Sequence, residues 1–213
     1  MPGGAYCPAM PSTLVHLALG GLIAAALLEE AFDARALGVV LAATAVPDLD
    51  TFVGIALPGT HRAALHTVLV PAIAAVAVAY DLRREDSWLR ARGDRAVRVA
   101  WVAVAAYALA GIGPDLFFNG VNVLYPIHDQ FYEVNGKVLV SNQRGLVQTL
   151  WEGEASTRGT TNTTHYSTGV DPVRGTEPEN VERVFPVARG GLQVLLLVTG
   201  TAVTGARLWL ARR

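Results

Sequence analysis

Cysteine is nearly missing from this chain. Cys7 stands alone, so no internal disulfide and no CxxC zinc site can form, and thiols say nothing about the redox compartment. Lysine is as scarce: Lys137 is the only one, and the arginine bias of the basic residues reflects a GC-rich genome more than chemistry. Charge of either sign is thin, at 16% of residues against roughly 25% in an average soluble domain. The net charge of −1 gives no bulk attraction to nucleic acid, and no nucleic-acid partner is expected. The chain also lacks a Ser-His-Asp arrangement, a phosphate-binding P-loop, a dinucleotide fingerprint and an HExxH element. The stretch from Met1 to Pro11 is rich in Pro and Gly and has no basic n-region. A cleavable signal peptide is therefore not expected, and Met10 is a candidate true start.

What fills the space is Ala, Val and Leu. Hydrophobic residues make up 52% of the chain, packed into five runs: Leu14 to Leu28, Ala36 to Val46, Leu65 to Tyr80, Ala96 to Ile112 and Gly191 to Leu210. The first two are shorter than the ~20 residues a membrane helix usually needs. The pattern predicts an all-α membrane protein with about five transmembrane helices.

Loop charge orients them. Arg83, Arg84, Arg90, Arg92, Arg95 and Arg98 lie between runs three and four, and Arg207, Arg212 and Arg213 close the chain. Short arginine-rich loops stay cytoplasmic. This predicts a multi-pass protein of the plasma membrane with a cytoplasmic C-terminus. It divides the chain into a four-helix membrane core over 12–118, a polar extracytoplasmic loop over 119–190 and a C-terminal transmembrane helix over 191–213. His16, Asp48, Asp50, His61, His66 and Asp115 then all fall at the extracytoplasmic ends of their helices. The positions came from arginines alone, so their convergence is informative.

The loop 119–190 is expected to be largely irregular. Phe131 to Val140 reads as a small β-hairpin turning at Asn135-Gly136. Ser, Thr, Gly, Asn, Pro and acids dominate Glu152 to Glu182, a composition that buries little and predicts a mobile segment. Asn162-Thr-Thr fits a glycosylation sequon, a weak signal. A faint internal echo runs through the core. His16 precedes Pro47-Asp-Leu49, His66 precedes Pro114-Asp-Leu116, and each Pro-Asp-Leu is followed by Phe and then Gly, the pattern of a parallel repeat.

The chemistry concentrates in Val46-Pro-Asp-Leu-Asp-Thr-Phe-Val-Gly54 and Thr60-His-Arg-Ala-Ala-Leu-His-Thr67. Carboxylates beside bilayer-length apolar runs are costly unless they pair, bind an ion or line a wet cavity. Asp48 and Asp50, two apart in a turn, can share one cation; a helix cap plus a solvated acid is the plainer alternative. His61 and His66 are five apart and share no face of a straight helix, but converge if the helix starts after Thr60 or His61. Arg62 and His66, four apart, would share a face, leaving Arg62 to hold a phosphate or pair with Asp48. His16 is an imidazole inside an apolar run, and Asp115 follows Gly111-Ile-Gly-Pro114, a pattern that breaks a helix and bends backbone around a site. His128 either completes the site or is a surface residue. His165 is expected to be exposed.

These motifs resemble a known family. His16 in a first apolar run, then Pro47-Asp-Leu-Asp50, then His61-Arg-Ala-Ala-Leu-His-Thr67 look like the membrane-bound metal-dependent hydrolases of the YdjM type, also called LexA-binding inner-membrane-associated hydrolases. Their pattern continues with a His-x-x-x-Asp and an aromatic-Pro motif. Asp115 matches that Asp and Leu124-Tyr-Pro126 that motif, so the resemblance covers roughly residues 12 to 127. The chain departs from the pattern at Ala63 and Leu65, where the family has Gly and Thr, and at Gly111, where it has the later His. His128 is a candidate replacement.

The expected function is an integral membrane metal-dependent hydrolase. A divalent ion (zinc, magnesium or manganese) would be held by His16, Asp48, Asp50, His61, His66 and Asp115, with Asp50 and Arg62 catalytic. The site's level in the bilayer suggests a lipid or phosphoester substrate. The alternative is a non-catalytic membrane protein whose polar cluster is structural or binds a partner. A transporter is disfavoured, because transport sites lie near the midplane.

Overall fold

A computed structural model describes residues 11–134, 136–149 and 157–213. Met10 as a start and Asn135 as a hairpin residue lie outside the described residues. Among the described residues seven α-helices follow in order: α1 (Thr13–Leu27), α2 (Ala34–Ala45), α3 (Asp50–Ala56), α4 (Leu69–Arg83), α5 (Asp94–Ala106), α6 (Gly113–Phe118) and α7 (Gly191–Leu210). Two of the described helices are long and apolar enough to cross a bilayer. One is Asp94–Phe118, in which α5 runs through Tyr107–Ile112 into α6, and the other is α7. The pair Ala34–Ala45 and Pro47–Ala56, bent by 44°, makes a third if it counts as one span. Helices α1 and α4, of 15 residues each, are about 22 Å long.

Each boundary has a local cause. Helix α2 starts where the Asp33 carboxylate accepts from the backbone N–H groups of Arg35 and Ala36 at 2.9 and 2.8 Å, an N-cap. The exposed carboxyl is held below its usual range, chiefly by its hydrogen bond from Arg95. Helix α2 ends where Pro47 lacks a donor, and a 3₁₀ turn, Pro47–Leu49, leads into α3. Ser12 precedes α1 but does not cap it. Its hydroxyl donates instead to the Val187 carbonyl at 2.6 Å, joining the start of α1 to the segment that precedes α7.

Small residues set the packing. A Cβ at Gly200 would lie 2.6 Å from the Ala18 carbonyl oxygen, and one at Gly21 would lie 2.5 Å from Thr204 Oγ1. Helices α1 and α7 thus run parallel at close approach, as small-residue seams allow in membranes. Gly20 meets Thr44 of α2 in the same way. Ala24, Leu28, Phe32, Leu37, Val40, Val102 and Ala106 form the main apolar core, at the end of the bundle away from the histidines.

Four expectations need correction. The Gly-Ile-Gly-Pro pattern does not break its helix: Tyr107–Ile112 widens into a π-helical turn and the helix continues to Phe118. Run three is not helical from Leu65; α4 begins at Leu69. The hairpin exists, but its antiparallel strands are β1 (Val138–Ser141) and β2 (Gly145–Gln148), with Ser141 opposite Gly145. The turn sits at 142–144 rather than at Gly136. The described part of Glu152 to Glu182 is also tied down rather than free. Asp129 accepts from the Thr161 backbone and hydroxyl, the Thr51 and Thr168 hydroxyls meet at 3.0 Å, and Tyr166 donates to the Asn119 carbonyl at 2.6 Å. Asn162 is exposed.

Candidate metal centre

Residues 57–68 leave helical geometry because their backbone groups have other partners. The Leu65 N–H reaches Asp50 Oδ2 at 3.3 Å and the Leu65 carbonyl accepts from the Tyr107 hydroxyl at 2.6 Å. The Arg62 carbonyl accepts from Asn122 N–H and the Val68 N–H donates to the Val123 carbonyl, both at 2.9 Å. Arg62 itself takes a left-handed conformation at φ 62°. Arg62 and His66 therefore do not share a helix face, and Arg62 pairs with Asp115 at 2.6 Å rather than with Asp48.

His16 shows how the centre is built. Its Nδ1 lies 2.6 Å from the Ala110 carbonyl. That carbonyl would ordinarily accept from the residue four positions on, which is Pro114 and has no N–H. A carbonyl only accepts, so Nδ1 carries the proton and Nε2 points the other way. It faces Asp115 Oδ2 at 3.6 Å and Asp48 Oδ1 at 4.0 Å.

His66 repeats the arrangement. Its Nδ1 lies 2.9 Å from Asp50 Oδ2, and its Nε2 faces the same two oxygens, Asp115 Oδ2 at 2.9 Å and Asp48 Oδ1 at 3.6 Å. Despite the short distance, Nε2 lacks hydrogen-bonding geometry to either carboxylate. His61 Nδ1 takes the other Asp50 oxygen at 2.9 Å, and its Nε2 is buried without a partner. Both Asp50 oxygens are thus engaged by imidazoles, placing this carboxylate behind them rather than among the groups that face His16. The two Pro-Asp-Leu elements of the sequence echo meet here, as Asp48 and Asp115.

The donor set fits a divalent ion. One ligand atom each from His16, Asp48 and Asp115 lies within 4.8 Å of the others, and His66 Nε2 adjoins the same oxygens. Zinc bonds of about 2.0–2.2 Å in tetrahedral geometry put donor atoms about 3.3–3.6 Å apart, inside the observed spread. Metal-bound histidines usually donate their other ring N–H to a supporting carbonyl or carboxylate, as His16 and His66 do here through Nδ1.

A cavity of about 630 Å³ adjoins the cluster, with Asp48, His61, Arg62 and Asp115 in its lining. Asp48 Oδ2 and Arg62 Nη1 are buried there without hydrogen-bond partners. The Arg62 guanidinium sits 5.0 Å from the centroid of Tyr166, and burial pushes that phenol's pKa up to about 12. The sequence reading missed Tyr166. Its one signal is that it is the only aromatic residue between Trp151 and Phe185.

His128 does not complete the site: it is exposed and its Nε2 lies 2.9 Å from the Tyr132 hydroxyl. His165, expected at the surface, is mostly covered and lies 3.9 Å from Asp171. Gly111 is not a vacant ligand position. A Cβ there would stand 2.8 Å from Pro47 Cγ and 2.9 Å from the Thr44 carbonyl oxygen. Gly111→His is expected to cost stability on the order of 1–3 kcal/mol, as overpacking does, without raising metal affinity. Thermal unfolding in detergent and metal titration check both halves.

The model of the family described as YdjM inner membrane protein matches residues 10–169. The chain belongs to that family. No curated protein and no solved structure matches it. Membership and the apolar helices make this YdjM-family chain a membrane protein. The family match includes every residue of the His/Asp cluster and ends before the segment 170–189, which also contributes to the cavity.

Proposed function

We propose that this YdjM-family protein is a metal-dependent hydrolase of an anionic ester at the extracytoplasmic face. The proposed architecture is a multi-pass one of about five spans, with a core over 12–118, a covering loop over 119–190, an anchoring helix over 191–213 and a cytoplasmic C-terminus. The carrying observation is that His16 and His66 are both anchored through Nδ1 and turn Nε2 to the same oxygens of Asp48 and Asp115.

These four residues would hold the ion, which when bound supplies Lewis acidity and acidifies water. The protein's own groups supply the rest. Asp50 fixes the His61 ring by accepting from Nδ1–H, which leaves Nε2 on the cavity side able to accept a proton from water. Arg62 Nη1, buried and unpartnered, donates to an anionic oxygen of the ester and to the charge that grows on it. Asp50, expected as a ligand and catalytic group, acts here by positioning the imidazoles.

Metal analysis of detergent-purified protein tests the reading. About one divalent ion per chain is expected. Chelation should lower stability, and restoring the ion at a hundred times its Kd should return about 2.7 kcal/mol. A protein that holds no ion and is indifferent to chelators would overturn it. The second reading, a metal-free structural cluster, is favoured by the Arg62–Asp115 pair.

A further inference from the structure

The cavity beside the His/Asp cluster has two unlike parts. Its floor carries Asp48, His61, Arg62 and Asp115, and its wall, to which Glu182 and Arg189 also contribute, carries the apolar side chains of Leu14, Val170, Val184, Phe185 and Val187. The wall is docked in place. The Val187 carbonyl accepts from Ser12 at 2.6 Å, Arg183 Nη1 donates to the Gly169 and Val170 carbonyls at 3.1 Å, and the Phe185 ring lies against Gly169, where a Cβ would meet it at 2.5 Å. Yet its outer edge is bare: Phe185 is 68%, Val187 59% and Leu14 48% exposed. Leu14 belongs to apolar α1, and Val187 lies four residues before α7, so the bare edge continues onto helices that carry apolar surface into the bilayer. A water-soluble ester gains nothing from such a wall.

Resting on the hydrolase reading above, we infer that the substrate is a membrane lipid carrying a phosphoester headgroup. The phosphate takes the floor, where Arg62 Nη1 is 98% buried with its side chain and lacks a partner. The hydrocarbon chain leaves along Leu14, Val184, Phe185 and Val187 toward the bilayer. The wall beyond residue 169 lies outside the family match, which makes chain recognition a property of this protein's own loop and headgroup chemistry a property of the shared cluster.

Calorimetric binding to the metal-loaded protein in nanodiscs of neutral lipid, with empty nanodiscs subtracted, tests this. The probes are ethyl phosphate and octyl phosphate. Octyl phosphate is expected to bind at least about tenfold tighter, since each buried methylene is worth up to about fourfold. Phe185→Ser and Val187→Ser should each erase most of that difference and leave ethyl phosphate unchanged. Equal affinities, or a chain-length preference that survives both substitutions, overturn the lipid inference while leaving an anionic-ester site. Failure of both probes to bind overturns the underlying reading and the inference with it.

Discussion

Asp115→Ala is expected to cost the fold about 3–5 kcal/mol and to abolish ion binding. The first effect comes from Arg62. Its side chain and that of Asp115 are each only 2% exposed and meet at 2.6 Å. Removing the carboxylate strands a buried guanidinium, and a broken buried pair costs that much because the remaining charge is uncompensated. The second effect comes from Asp115 Oδ2, which both His16 Nε2 and His66 Nε2 approach. Adding Arg62→Met removes the stranded charge and should restore most of the stability without restoring the ion. Denaturation in detergent and metal titration on the two variants separate the roles. A double variant that binds the ion as the wild type does would remove Asp115 from the ligand set. A single variant of wild-type stability would mean the pair does not hold the fold.

Asp50→Asn is expected to weaken ion binding about 10–100-fold, the usual cost of losing a carboxylate behind a ligating histidine, while the fold persists. The side chain keeps its volume and one acceptor oxygen. It can no longer accept from His61 Nδ1 and His66 Nδ1 together, as the carboxylate does at 2.9 Å each. One imidazole must turn or change tautomer. If His66 Nε2 is a ligand, affinity falls; if the imidazoles are only structural, stability falls and there is no affinity to lose. Unchanged metal affinity would detach His66 from the ion.

The helices were legible where apolar runs are bounded by strong punctuation. Glu29-Glu30 ends the first run, Pro47 the second, and Gly190-Gly191 opens the last; α1, α2 and α7 match those runs. The segment from Leu65 was not legible. Its apolar residues read as helix, but Asp50, Tyr107 and Val123 take its backbone groups, and these partners are distant in sequence. The π-helical turn is equally hidden, because Gly and Pro announce a disturbance without its form. The polar loop was misjudged through composition. Its described part is held by Asp129, Thr51 and Asn119, and pairings between polar groups leave no periodicity to read. At the centre, the residue types were legible, and the His and Asp side chains expected together do lie together. The division between Asp50 behind the imidazoles and Asp115 in front was not, because it depends on which nitrogen each ring turns inward.

Arg62 pays for its place in the backbone. A non-glycine residue at φ 62° carries strain of order 1–3 kcal/mol, which glycine alone would escape. The neighbours hold it there, through Asn122 N–H on its carbonyl and Asp115 on its guanidinium. Position 62 therefore sets two demands against each other: conformational ease calls for glycine, and the buried Asp115 carboxylate calls for a cation. The second is the larger, since a stranded buried charge costs about 3–5 kcal/mol, so a search for thermostable variants would keep the arginine and its strain together.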